Sequence, residues 1–121
     1  MTMCDKKSLN QIKPISYQTN QNGNVLIGGL QVADLVEQFG TPLYILCYET
    51  IKARARAYRE SFEKYYGDSL VIYASKALNC KALCKIVLNE GLGIDVVSAG
   101  ELYTALSVGF PSSKIIFHGN N

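Results

Sequence analysis

The chain has 121 residues, 48% of them hydrophobic and 18% charged, which suits a single domain with an ordinary apolar core. Twelve basic and ten acidic residues give a net charge of +2, too balanced to predict a nucleic-acid-binding surface. No stretch reaches the roughly 18 apolar residues of a membrane span, and no apolar segment of a secretory signal follows the N-terminal lysines. We therefore expect a cytoplasmic protein without nucleic-acid or membrane partners.

The cysteines do not predict a metal site. Four are present, at positions 4, 47, 80 and 84, without paired Cys-x-x-Cys spacings. Only Cys80 and Cys84 lie one helical turn apart, and His118 is the single histidine. A four-ligand zinc site would need Cys4 and Cys47 brought in from distant positions. We expect no metal, and reduced, partly buried cysteines.

The first part of the chain predicts a leader, a short helix and a strand. Residues 1–24 are rich in Asn, Gln, Lys and Ser, which predicts an extended or poorly ordered leader. Residues 25–48 are expected to enter the fold. Within them, apolar residues recur at helical spacing over 32–39, and a glycine and a proline then supply a stop. The apolar run 43–46 suits a buried strand, although so short a run does not decide its own type.

The next segment predicts an amphipathic helix with Thr50 as its cap. One stripe of this helix is apolar and consists of Ile51, Ala55, Tyr58, Phe62 and Tyr65. The opposite face is charged and carries Lys52, Arg54, Arg56, Arg59 and Glu63. The arginines could bind an anion, but a solvated charged face explains them without a ligand.

Strands and helices then alternate to the end of the chain. The predicted strands are 70–75, 94–97 and 115–117, and a helix is predicted over 79–90. A second helix begins at Ser98, which forms an S-x-x-E capping box with Glu101. Strands joined by helices in this order form right-handed βαβ units and a parallel sheet, so the predicted fold class is α/β.

Lys76 is the main candidate for chemistry. It ends an apolar run, where an ammonium group is costly unless it is paired or deprotonated. A desolvated lysine becomes a nucleophile, the state required for a Schiff base with an aldehyde cofactor such as pyridoxal phosphate. The alternative is a lysine that simply extends from a strand end into water. In a barrel, catalytic groups lie at the C-terminal ends of strands, where Lys76 and His118 fall.

Several stretches together resemble one enzyme family. They are Tyr73 to Ala77 (YASKA), Gly91 to Leu102 (GLGIDVVSAGEL), Phe117 to Asn121 (FHGNN), and upstream Ile27 to Gly29 and Gly40 to Tyr44. In their order and spacing these stretches resemble the diaminopimelate decarboxylases, which are fold-type III enzymes dependent on pyridoxal 5'-phosphate.

The resemblance implies an alanine-racemase-like (β/α)8 barrel with an added β domain, acting as a homodimer that decarboxylates meso-2,6-diaminopimelate to L-lysine. Residues 49–121 would form the N-terminal part of this barrel, with about three βα units. By residue matching, Lys76 would form the Schiff base with the cofactor. Asp95 and Glu101 would also contact the cofactor, and Asp95 and His118 would join Lys76 as catalytic residues.

Glu101 and His118 also have competing interpretations, whereas Asp95 is better placed for a role at the lysine. Glu101 already has a structural role in the capping box. A carboxylate at Asp95 near a lysine would favour the charged form of that lysine. His118 could donate a proton, neighbour the cofactor, or be an ordinary satisfied polar group.

Two other functions are compatible with the sequence. One is a related decarboxylase acting on ornithine, arginine or carboxynorspermidine, and another is a non-catalytic homologue that binds the cofactor or regulates a partner. The family's glycine-rich phosphate cradle, substrate-binding groups and partner-subunit cysteine do not occur within the 121 residues. The chain alone is therefore expected to be inactive.

Overall fold

The structure is a computed structural model and describes residues 12–119. The chain divides into two compact units, one extending to Ile51 and the other starting at Lys52. Residues 1–11 of the predicted leader lie outside the described residues. No helix in the described part is long and apolar enough to cross a membrane.

The first unit contains a small antiparallel sheet. Its strands are β1 (Gln18–Thr19), β2 (Val25–Ile27) and β3 (Leu30–Gln31), in the order β1-β2-β3. The side chain of Asn20 accepts hydrogen bonds from two backbone N–H groups of the β1–β2 turn. Two glycines with φ of 61° and 81° make the two-residue turn between β2 and β3, a conformation that favours glycine. The polar composition of residues 1–24 had not indicated β1, because its pairing depends on β2.

Helix α1 (Val32–Phe39) confirms the helix predicted over 32–39. It ends at Gly40, whose φ is 77° and whose N–H donates to the carbonyl of Val36. The strand predicted over 43–46 is wrong, since these residues adopt no regular secondary structure. An apolar run becomes a strand only where another strand accepts its hydrogen bonds, and the described residues supply none here.

Helix α2 (Tyr48–Tyr66) begins two residues before Thr50, so the prediction that Thr50 caps this helix is wrong. The Thr50 hydroxyl accepts from the N–H of Ile15 and donates to Cys47 Sγ at 3.0 Å. Ser16 Oγ lies 3.0 Å from the same sulfur. These hydroxyl hydrogen bonds, that of Ser16 first, lower the pKa of the Cys47 thiol to about 7.

The second unit is a parallel α/β layer. Its strands are β4 (Ile72–Ala74), β5 (Gly93–Val96) and β6 (Ile115–Phe117), in the order β4-β5-β6. Helices α3 (Lys81–Asn89) and α4 (Ala99–Ser107) connect them, which confirms the predicted alternation. Ile94 and Val96 of the central strand are fully buried, and burial raises the pKa of the thiol of Cys84 on α3.

The part of α2 in the second unit buries a different surface from the one predicted. Ala55 is buried, but Tyr58, Phe62 and Tyr65 are 63%, 44% and 72% exposed. Arg56, assigned to the solvated face, instead donates two hydrogen bonds to the buried carboxylate of Glu90. Helical periodicity identifies an apolar stripe, whereas the neighbouring elements decide which stripe they cover.

Candidate functional site

The predicted site residues lie along the C-terminal edge of the parallel sheet. Lys76 is in a short 3₁₀ turn, Ser75–Ala77, which follows β4 directly. Asp95 is on β5, in register with Ala74 of β4. His118 follows β6, and its N–H donates to the carbonyl of Val96 at 2.9 Å. The fold therefore brings three distant positions to one edge of the sheet.

Strand order sets how close these positions can be. Lys76 follows β4, the strand adjacent to the one that carries Asp95. His118 follows β6, on the other side of β5, so its backbone is two strand spacings, or about 10 Å, from the end of β4. Asp95 is thus the central position of the three.

Lys76 itself is exposed. Leu70, the first residue of the apolar run that was expected to bury it, is 44% exposed. The argument that Lys76 is desolvated is therefore not supported within the described residues. What the structure does support is its position in a turn at the carboxyl end of a parallel strand, where ligands of α/β proteins bind.

Two hydroxyls fix the turn that carries Lys76. Ser75 is fully buried, and its Oγ donates to the main-chain carbonyl of Asp95 at 2.6 Å. The hydroxyl of Tyr73 donates to the carbonyl of Leu78 at 2.9 Å. Burial, together with the neighbouring thiol of Cys84, raises the pKa of Tyr73, so this phenol stays protonated as a donor. Sequence reasoning assigned no role to Ser75, although its position next to the candidate lysine was evident.

Three buried polar atoms lack partners within the described residues: Asp95 Oδ1, Asn79 Nδ2 and Arg59 Nε. A buried polar atom without a hydrogen-bond partner destabilises the fold. In native proteins such atoms are nearly always hydrogen-bonded to protein, water or ligand. One of the three atoms, Asp95 Oδ1, belongs to the predicted site. The residues present therefore fit a polar ligand at this edge of the sheet, and Asp95 has hydrogen-bonding capacity to offer it.

The predicted capping box is half confirmed. Ser98 Oγ accepts from the N–H of Glu101 at 3.3 Å. The return bond runs from the N–H of Val97 to Glu101 Oε2 at 2.6 Å, one residue before the position that a capping box uses. The carboxylate of Glu101 thus secures the backbone directly after β5. Gly119 passes against Val97 so closely that a Cβ would collide with the Val97 carbonyl.

Comparisons with known proteins match this chain to one group of enzymes. Residues 48–121 match a family model described as the pyridoxal binding domain of pyridoxal-dependent decarboxylases. Curated diaminopimelate decarboxylases from Synechocystis sp. and Bacillus subtilis are 50% and 45% identical over 117 and 102 residues. These alignments cover 89% and 84% of this chain, but only 25% and 23% of those relatives.

Two solved structures have a fold similar to that of this chain. The diaminopimelate decarboxylase of Methanocaldococcus jannaschii is 34% identical with a TM-score of 0.74, and the match covers 88% of this chain and 25% of that one. AQ1208 from Aquifex aeolicus is also 34% identical, with a TM-score of 0.75 over 88% of this chain and 26% of that one. These matches confirm the α/β fold class and identify the parallel unit as the N-terminal part of a barrel that binds pyridoxal phosphate. The chain therefore belongs to the pyridoxal-dependent decarboxylases, through their pyridoxal-binding domain.

Proposed function

We propose that the natural protein decarboxylates meso-2,6-diaminopimelate to L-lysine, the last step of lysine biosynthesis, with pyridoxal 5'-phosphate as cofactor. The observation that carries the proposal is the placement of Lys76 beside the strand of Asp95, at the C-terminal edge of a pyridoxal-binding fold. The substrate follows from the name shared by curated relatives that are 39–50% identical to this chain. Ornithine, arginine or carboxynorspermidine would be the substrate of a related decarboxylase.

Lys76 is the residue that would hold the cofactor, through its Nζ. Its exposure leaves the amine accessible, and the turn that carries it is fixed by Ser75 and Tyr73. When bound, the cofactor supplies the electron sink that decarboxylation requires. The protein must contribute position, charge and proton control around that group.

Asp95 would act on Lys76 and the cofactor through its charge. A carboxylate on the adjacent strand favours the protonated form of a nearby amine, and Asp95 Oδ1 has no partner within the described residues. Glu101 would lie beside the cofactor while it secures the backbone at Val97. His118, exposed at the end of β6, is proposed as a proton donor. The protein is further proposed to act as a homodimer in the cytoplasm.

The first test locates the cofactor. The protein, loaded with pyridoxal phosphate and reduced with borohydride, should carry the pyridoxyl group on the peptide that contains Lys76. The Lys76→Arg variant keeps the charge and should lose both the label and lysine production. Lys81→Arg alters an exposed lysine on α3 and is the matched control, which should keep both. A label on Lys81, Lys85 or Lys114 instead of Lys76 in the unmodified protein would refute the assignment.

The second test identifies the substrate. Carbon dioxide release is measured with meso-2,6-diaminopimelate, ornithine, arginine and carboxynorspermidine as separate substrates. We expect turnover of diaminopimelate at a kcat/KM at least 100-fold above that of the others. Preference for another amine would leave the cofactor site intact but overturn the substrate. Cofactor binding without turnover of any of the four would favour a non-catalytic homologue.

A further inference from the structure

Ser75 is a buried hydroxyl next to the candidate lysine. It is fully buried, it follows β4 directly, and it begins the turn that carries Lys76. Its Oγ donates to the main-chain carbonyl of Asp95 at 2.6 Å, which joins two strand ends that lie 20 residues apart in the chain. This distance is at the short end for a hydroxyl donor, so the contact is close and well formed.

The bond lies where the regular strand pairing ends. Ala74 and Asp95 form the last pair between β4 and β5, and the chain after Ala74 leaves the strand for the 3₁₀ turn. Beyond that point the Ser75 hydroxyl holds the turn against β5. Because the hydroxyl is buried, water cannot readily replace it at the Asp95 carbonyl.

We propose that Ser75 is a positioning residue, which sets the place of Lys76 relative to Asp95 by fastening the ends of their two strands. This proposal rests on the proposed function, in which Lys76 holds the cofactor and the Asp95 carboxylate acts on it. Ser75 does not touch the reacting atoms. Its hydroxyl donates a hydrogen bond to the main chain of Asp95. Any effect of Ser75 on the reaction therefore acts through the positions of the Asp95 side chain and of Lys76.

The experiment measures how fast Lys76 captures the cofactor. Apoprotein is mixed with pyridoxal phosphate, reduced with borohydride at timed intervals, and the pyridoxyl label on the Lys76 peptide is quantified. Ser75→Ala should slow labelling by about tenfold, the factor expected for one buried hydrogen bond. The control is Ser107→Ala, which removes an exposed hydroxyl that donates to a main-chain carbonyl at 2.8 Å within α4. This control should label at the unmodified rate.

A double-variant cycle separates positioning from general loosening of the fold. If Ser75 acts by placing Lys76 against the Asp95 carboxylate, Ser75→Ala should have little further effect in an Asp95→Asn background. A merely structural role predicts the same tenfold slowing in both backgrounds. If Ser75→Ala does not accumulate as folded protein, Ser75→Cys replaces it, because a thiol keeps a weak hydrogen-bond donor and most of the side-chain volume. Ser75→Cys should slow the labelling of Lys76 by less than tenfold, and this slowing should again be smaller in the Asp95→Asn background.

The outcomes distinguish the two proposals. Labelling of the unmodified protein on another lysine would overturn the proposed function, and the role of Ser75 with it. Labelling on Lys76 at the same rate in the unmodified protein and in Ser75→Ala would overturn only the positioning role. Equal slowing in the two Asp95 backgrounds would also overturn it.

Discussion

Replacing Arg56 with methionine tests the ion pair between α2 and the end of α3. Arg56 Nε and Nη2 donate to the two carboxylate oxygens of Glu90 at 3.0 and 3.2 Å. The pair is asymmetric, because the arginine side chain is 47% exposed and the glutamate only 7%. Arg56→Met keeps most of the aliphatic stem but leaves the buried Glu90 carboxylate without its paired charge.

The difference in exposure between the two side chains sets the expected loss of stability. An exposed ion pair contributes about 0.2–1 kcal/mol, whereas removal of one partner of a fully buried pair costs about 3–5 kcal/mol. Here the group left behind is buried, but its site adjoins water through the space that Arg56 occupied. We therefore expect Arg56→Met to lower the free energy of unfolding by about 2–3 kcal/mol.

The assay is urea unfolding of the natural protein, with hydrogen exchange followed in peptides that cover 81–93. Lys64→Met, at an exposed lysine on the same helix, is the control and should change stability by less than about 0.5 kcal/mol. Adding Glu90→Gln to Arg56→Met should recover at least half of the loss, since no unpaired charge then remains. The reasoning fails if Arg56→Met matches the control, or if the double variant is no more stable than Arg56→Met.

Three further predictions follow from local geometry. Ser98→Ala removes the acceptor at the start of α4 and should cost about 1 kcal/mol of stability, with turnover per folded molecule nearly unchanged; a hundredfold loss of turnover at normal stability would place Ser98 in the site instead. The alkylation rate of Cys47 should rise with pH around a midpoint near 7, because its hydroxyl hydrogen bonds stabilise the thiolate, while Cys84 should stay unmodified below pH 9; peptide mapping after iodoacetamide treatment checks this, and a Cys47 midpoint near 9 would contradict it. Gly93→Ala should destabilise by about 1–3 kcal/mol, because its Cβ would lie 2.6 Å from the Ile72 side chain and 2.8 Å from a backbone carbonyl. Gly100→Ala, on α4 with open space around it, should be neutral or stabilising by up to about 1 kcal/mol in the same urea assay, and equal effects of the two would show that packing at Gly93 is not the cause.

The elements whose signals are local could be predicted from the amino-acid sequence. Helical spacing with a terminal glycine identified α1, and the alternation of short apolar runs with helices identified the parallel α/β unit. The start of α4 was readable because Ser98 and Glu101 act on their own neighbours in the chain. Residue matching identified Lys76 and Asp95 as site residues, and the fold places Lys76 directly after β4 and Asp95 on the adjacent strand β5.

The features that depend on distant partners could not be predicted in this way and follow from the packed fold. The apolar run 43–46 has strand character but no paired strand, and the aromatic stripe of α2 is exposed while Arg56 reaches a buried carboxylate. The bond from Ser75 to the Asp95 carbonyl arises from parallel pairing across 20 residues, which no local pattern encodes. Hydrogen-bond partners and burial are properties of pairs of elements, so a periodicity within one element cannot specify them.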